Sequence, residues 1–133
     1  MKIAWIEDDA DIIAPLVYPL EKEGFEILRF PSIAEARNSL KTIVESDLVL
    51  LDTILPPGPG QDATSRYPGL DLLREWRYAG AVLPPVIALT VVSNPEVLAA
   101  LKALLVANII RKPALPSVLQ KRVHEVLRMG QAR

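Results

Sequence analysis

The sequence predicts an α/β domain: a doubly wound (βα)5 sandwich on a five-stranded parallel sheet of order 2-1-3-4-5. Three observations point there. Five short apolar runs alternate with longer segments of helical period, as βα units require. The third and fourth runs, Leu48-Val49-Leu50-Leu51 and Val86-Ile87-Ala88-Leu89, are apolar throughout, which suits central strands covered on both faces. Finally, 133 residues, half of them apolar, are enough for one core and too few for two, so residues 1–133 read as a single domain.

Taken in order, strands are predicted at 2–7, 25–30, 47–52, 85–90 and 108–111. Helices are predicted at 9–22, 33–45, 69–79, 94–107 and 116–129. Asp9, Ser32 and Asn94 are suited to capping helix N-termini, and Pro95 suits the first helical position after Asn94. Gly24 and Gly80 stand where helices should stop. Two places break the pattern. Pro15 and Pro19 each remove an amide donor from the first helical segment, so it should kink or distort. Residues 56–69 hold too many prolines and glycines for regular structure and predict a long loop after the third strand.

Composition excludes several classes. The absence of cysteine rules out disulfides and cysteine-zinc sites. Fifteen basic against sixteen acidic residues leave a net charge of −1, without the basic footprint of a nucleic-acid binder. No stretch approaches the apolar length of a membrane span, and the N-terminus lacks signal-peptide features. A cytoplasmic protein without membrane or nucleic-acid contact is the expectation.

In a doubly wound sheet, ligands sit outside the carboxyl ends of the strands. Those ends carry Glu7-Asp8-Asp9 after the first strand, Asp52 at the third, Thr90 at the fourth and Lys112-Pro113 after the fifth. Three carboxylates, a hydroxyl and an ammonium should therefore converge on one edge. Clustered carboxylates raise one another's pKa unless a cation neutralises them, and oxygen-only ligands suit Mg2+. A divalent cation plus a lysine is what phosphoryl transfer uses, and a central carboxylate can be the nucleophile that forms an acyl phosphate. Asp52, ending the middle strand, is the best placed.

Glu7-Asp8, Asp52 with Pro56 four residues later, Ala88-Leu89-Thr90 and Lys112-Pro113 resemble, in order and character, the motif set of response-regulator receiver domains (the CheY-like superfamily of two-component signalling, with a flavodoxin-like fold). The resemblance covers essentially the whole chain. It implies a non-enzymatic phosphorelay domain that takes a phosphoryl group from a sensor histidine kinase or phosphotransfer protein onto Asp52. It further implies that Glu7, Asp8, Asp52 and the backbone carbonyl of Ile54 hold Mg2+, Glu7 partly through water. Thr90 and Lys112 would contact the phosphoryl group, and the Lys112–Pro113 bond would be cis. Output would run to a downstream protein target or effector domain, with a homodimer through residues 94–129 as one form.

The sequence also departs from the family. Ile109 stands where receivers usually carry a switching aromatic, so output should rely on loop and helix repacking. Val91 and Val92 follow Thr90 where a small residue is usual, and Ile54 is apolar too, which predicts a persistent phosphoryl group. The 56–69 loop is longer than usual, either as a tolerated insertion or as a flap over the site. In the fourth helical segment Val97, Leu101 and Leu104 suffice for the core, leaving Leu98 and Leu105 to form an exposed interface. Trp5 and Trp76 read as core, His124 as a surface or packing residue, and the charges of the last helix as a solvated face.

The rival reading is a pseudo-receiver, a protein-interaction module that works without phosphate. A flavodoxin-like cofactor binder fits poorly, because Glu7-Asp8-Asp9 would repel a phosphate. An aspartyl phosphatase would want Asp-x-Asp after its first strand.

Overall fold

The computed structural model describes residues 1–8, 13–54, 67–91 and 94–131. Five parallel strands, β1 (Lys2–Ile6), β2 (Glu26–Phe30), β3 (Leu48–Asp52), β4 (Val86–Thr90) and β5 (Asn108–Arg111), form one sheet of order β2-β1-β3-β4-β5. Every strand lies within a residue of its predicted span. β3 and β4 are buried at every position.

The side-chain alternation of the strands divides the core in two. One layer joins Ala4, Ile6, Val49, Leu51, Val86 and Ala88 to helices α2 (Ile33–Asn38), α3 (Leu40–Val44), α4 (Pro68–Tyr78) and α5 (Pro95–Ala103). The other joins Ile3, Trp5, Leu48, Leu50, Ile87 and Leu89 to a 3-10 turn at Ala14–Val17 and to helices α1 (Tyr18–Lys22) and α6 (Pro116–Gln131). Trp5 and Trp76 are buried, one in each layer, as the sequence predicts.

Pro15 and Pro19 do more than kink the first helix. The segment is split, with one proline in the opening turn of the 3-10 piece and the other in the opening turn of α1, where a missing N–H costs least. Asp9 and the start of the predicted 9–22 helix lie outside the described residues, as do residues 56–66 of the predicted 56–69 loop and Val92; Pro68 and Gly69, predicted to end that loop, instead open α4. The 33–45 helix is interrupted at Ser39 (φ −111°, ψ 20°), beside Asn38, two residues whose side chains compete with helical backbone bonding. Ser32 caps α2 by accepting from the Glu35 amide at 3.2 Å, and Asn94 caps α5 by accepting from the Glu96 amide at 2.8 Å.

Three helices end on a left-handed residue with paired closing bonds. After α1 the amides of Gly24 and Phe25 donate to the carbonyls of Glu21 and Leu20; after α4 those of Gly80 and Ala81 donate to Arg77 and Trp76. After α5 the same motif uses Leu105 (φ 63°), whose amide donates to Lys102 while that of Val106 donates to Leu101. The fourth helix therefore stops at Ala103 and not near residue 107, because the chain must turn back to place Asn108 in register with Ile87 on β4. Arg77 of α4 completes this end by donating to the carbonyl of Leu104 at 2.9 Å. Burial pushes the Arg77 guanidinium pKa down.

Candidate functional site

The chain reverses its direction of winding between β1 and β3, so the crevice at their carboxyl ends is where a doubly wound sheet holds its ligand. Glu7 leaves β1 there, fixed by its amide donating to the carbonyl of Phe30 at 3.1 Å, and Asp52 closes β3. Asp52 shares a sheet face with Leu48 and Leu50, the face covered by α1 and α6. Lys112 follows β5 and is tied to β4 by its amide donating to the carbonyl of Thr90 at 2.8 Å. The Lys112–Pro113 bond is cis.

These elements bring the sequence-predicted residues together. Carboxylate oxygens of Glu7, Asp8 and Asp52 lie within 4.8 Å of one another, Glu7 and Asp52 buried and Asp8 exposed. The Lys112 ammonium bridges Glu7 and Asp52, donating to Glu7 Oε2 at 2.5 Å and to Asp52 Oδ2 at 3.1 Å. The other oxygen of Asp52 accepts from the amide of Ile54 at 3.0 Å, a local turn that holds the carboxylate at the strand end.

The electrostatics follow from burial. Glu7 has no solvent exposure, and desolvation, opposed by the Lys112 hydrogen bond and reinforced by the charge of Asp52, pushes its pKa up to about 7. Burial works against the charge of Lys112, but its hydrogen bond to Glu7 and the charges of Asp52 and Glu7 outweigh it and raise its pKa. Two carboxylates and an ammonium this close leave a net negative site with a third carboxylate at its mouth. An oxygen-only set of this kind fits a hard divalent cation such as Mg2+.

Thr90 is fully buried at the end of β4. The sequence reading missed its neighbour. Thr53, the residue after Asp52, is also fully buried, and its Oγ1 lies 2.9 Å from Oγ1 of Thr90. A second polar residue directly after Asp52 was the one available signal; its pairing with Thr90 comes from sheet register. Gly69 was also missed as a site residue. Its amide donates to the carbonyl of Thr53 at 3.0 Å, and a Cβ built on it would lie 2.0 Å from the carbonyl oxygen of Asp52. Only glycine lets the first turn of α4 rest directly on the strand end that carries Asp52.

Val91, following β4, is 59% exposed, and Ile54, two residues after Asp52, is 42% exposed. An apolar groove lined by Ile13, Pro15, Leu16, Val91 and Pro113 opens beside Lys112. Ile109 is half-buried against the layer that contains α4 and α5. Val97 and Leu101 on α5 and Leu104 just after it are buried, whereas Leu98 is half-buried and Leu105, also beyond the helix, is 74% exposed. The apolar stripe predicted from Leu98 and Leu105 is therefore not formed as such, because the helix ends before Leu105. His124 is away from the site, with Nε2 2.9 Å from the Glu23 carboxylate and its ring edge-on to Phe25.

No protein-family model matches the sequence. The swarming motility regulation protein RssB of Serratia marcescens is 37% identical over 87 residues, 65% of this chain. The chain spans 35% of the length of that relative. The BeF3-activated N-terminal receiver domain of Klebsiella pneumoniae RstA superposes with a TM-score of 0.74 at 28% identity, covering 96% of this chain and 99% of that one. This chain is similar in fold and sequence to response-regulator receiver domains. Two further structures share the receiver fold at lower identity. A two-component response regulator from Clostridium difficile aligns at TM-score 0.78 and 23% identity, over 96% of both chains. A CheY-like receiver domain protein from Methanospirillum hungatei JF-1 aligns at 0.74 and 22%, over 98% of this chain and 96% of that one. No helix among the described residues is long and apolar enough to cross a membrane.

Proposed function

We propose that this receiver domain accepts a phosphoryl group on Asp52 from a phosphohistidine of a sensor histidine kinase or phosphotransfer protein. The observation that carries the reading is the convergence of Glu7, Asp8, Asp52 and Lys112 at the switch point of the sheet. A carboxylate oxygen of Asp52 attacks phosphorus, the bond from phosphorus to the donor imidazole nitrogen breaks, and its electron pair leaves with the imidazole. An acyl phosphate remains on Asp52.

Glu7, Asp8, Asp52 and the backbone carbonyl of Ile54 would hold Mg2+, which when bound supplies positive charge for the phosphoryl oxygens. The chain's own residues do the rest. The Ile54 amide orients the nucleophile by bonding the oxygen that Lys112 does not hold. Lys112 keeps the acidic pair compensated at rest and turns from Glu7 toward a phosphoryl oxygen once one is present. Thr90 donates to another phosphoryl oxygen. The apolar groove beside Lys112 gives the donor an approach, and the apolar faces of Val91 and Ile54 leave nothing to orient a hydrolytic water.

Phosphorylation then acts through shape, with output carried by repacking of α4, α5 and their loops to a downstream protein or effector domain in the cytoplasm. A homodimer through residues 94–129 is one form such an output could take. The test is incubation with acetyl phosphate and Mg2+ followed by intact-mass measurement. A single Mg2+-dependent adduct that disappears in Asp52→Asn supports the reading. No adduct from acetyl phosphate or phosphoramidate, with Trp5 fluorescence unmoved by Mg2+, would favour a phosphorylation-independent interaction module. The observation on that side is Ile109, which cannot act as an aromatic switch.

A further inference from the structure

We propose that Thr53 is a positioning residue: its hydroxyl holds the Thr90 hydroxyl on the α4/α5 face of the sheet and so sets how readily Thr90 engages a phosphoryl group on Asp52. The inference rests on the phosphoacceptor reading above and adds to it a residue between the site and its output face.

The geometry starts from the pleat. Asp52 and Thr53 are consecutive, so their side chains leave the strand on opposite faces. Thr53 continues the series Val49, Leu51, which packs against α4 and α5; Asp52 continues Leu48, Leu50, which packs against α1 and α6. Across the ladder Asp52 is level with Leu89, and the Thr53 amide donates to the Leu89 carbonyl at 3.3 Å, which brings Thr53 level with Thr90. The two hydroxyls meet at 2.9 Å with neither side chain exposed. An oxygen held there is directed away from the face on which the Asp52 carboxylate lies. Turning toward a phosphoryl group on Asp52 means giving up Thr53.

Both partners are β-branched, so χ1 has few wells and the change is a jump between discrete rotamers. Thr53 is buried, and a buried hydroxyl that loses its partner without replacement is unfavourable. The pair is thus a two-position element biased toward the resting arrangement. Thr53 also carries the signal onward, because its carbonyl accepts the amide of Gly69 in the first turn of α4. With Ile109 half-buried on this same face, the threonine pair supplies a switch that needs no swinging aromatic ring.

The test compares wild type, Thr53→Val and Thr53→Ser for affinity toward beryllofluoride in the presence of Mg2+, measured by calorimetry, with urea unfolding alongside. Valine keeps the branched shape and removes the hydroxyl; serine keeps the hydroxyl. The latch predicts that Thr53→Val binds beryllofluoride roughly three- to tenfold more tightly, the value of one hydrogen bond, while Thr53→Ser stays near wild type. In a Thr90→Val background the Thr53→Val change should have no effect on affinity. Damage to the site would weaken binding, so the sign separates positioning from mere structural support. Unchanged or weaker binding by Thr53→Val overturns the role of Thr53 while leaving the receiver chemistry intact. Should Thr53→Val fail to fold, Thr53→Ala carries the same expectation. Wild-type protein that binds no beryllofluoride and takes no phosphoryl group overturns both readings.

Discussion

The Lys112 ammonium lies closer to Glu7, at 2.5 Å, than to Asp52, at 3.1 Å. At rest the lysine therefore serves first as the counter-ion of a carboxylate with no access to water, and only second as a partner of the nucleophile. Breaking a buried pair from one side leaves an uncompensated charge. Lys112→Met should destabilise the domain by about 3 kcal/mol above pH 7, where Glu7 is ionised in the native chain. The loss should shrink when Mg2+ is added, because the cation replaces the missing charge. Urea unfolding with and without Mg2+ measures both; a loss that Mg2+ leaves unchanged would contradict this account.

Glu7 gives the domain a pH dependence of definite sign. Its pKa rises from an ordinary value of 4.5 to about 7 in the folded chain, chiefly by desolvation. The native state therefore binds the proton more tightly than the unfolded chain. This contribution is fully present below the unfolded value and is lost as pH rises through the folded one. In EDTA, wild type should lose about 3 kcal/mol of stability more than Glu7→Gln across that window. Above it the two profiles should run parallel. Saturating Mg2+ should flatten the wild-type slope, because a cation favours the carboxylate.

Gly69 and Gly80 make a contrasting pair. A Cβ at Gly69 would meet the Asp52 carbonyl oxygen at 2.0 Å, so α4 or the strand end must shift. Gly80 faces open space but has φ +80°. Gly80→Ala should cost about 1 kcal/mol, the strain of a left-handed residue. Gly69→Ala should cost more than that and also reduce phosphorylation of Asp52. Equal costs, with unchanged phosphorylation of Gly69→Ala, would mean that α4 does not bear on the site.

Leu105 presents the opposite case. It adopts φ 63° with its side chain 74% exposed, so it carries left-handed strain without compensating burial. Leu105→Gly should raise stability by about 1 kcal/mol, visible as a higher urea midpoint at unchanged slope. A drop in stability would show that the leucine side chain packs in solution.

The exposed valine at the mouth bears on lifetime. With Val91 and Ile54 in place, the acyl phosphate should outlast a seconds timescale, and Val91→Ala should shorten it by admitting water. Loss of the adduct followed by intact mass measures this directly. Rapid loss from wild type, or no change in Val91→Ala, would refute it.

The sequence by itself determined the strands, their order and the placement of Glu7, Asp8, Asp52, Thr90 and Lys112 at one edge. Continuous apolar runs can be satisfied only by burial on both faces, and parallel strands joined by helices put all their carboxyl ends on one side. It also determined the helix stops at Gly24 and Gly80 and the caps at Ser32 and Asn94, which are local conformational preferences. The tertiary structure alone decided what depends on register and close approach. The end of α5 at Ala103 is one such case: nothing local in Leu104-Leu105-Val106 forbids a helix, and the pairing of β5 with β4 imposes the turn. Gly69 is another, since its need for a missing Cβ exists only because α4 sits on Asp52. The contact between Thr53 and Thr90 is the third. Thirty-seven residues separate the two hydroxyls along the chain, and only the hydrogen-bonded ladder between β3 and β4 brings them to 2.9 Å.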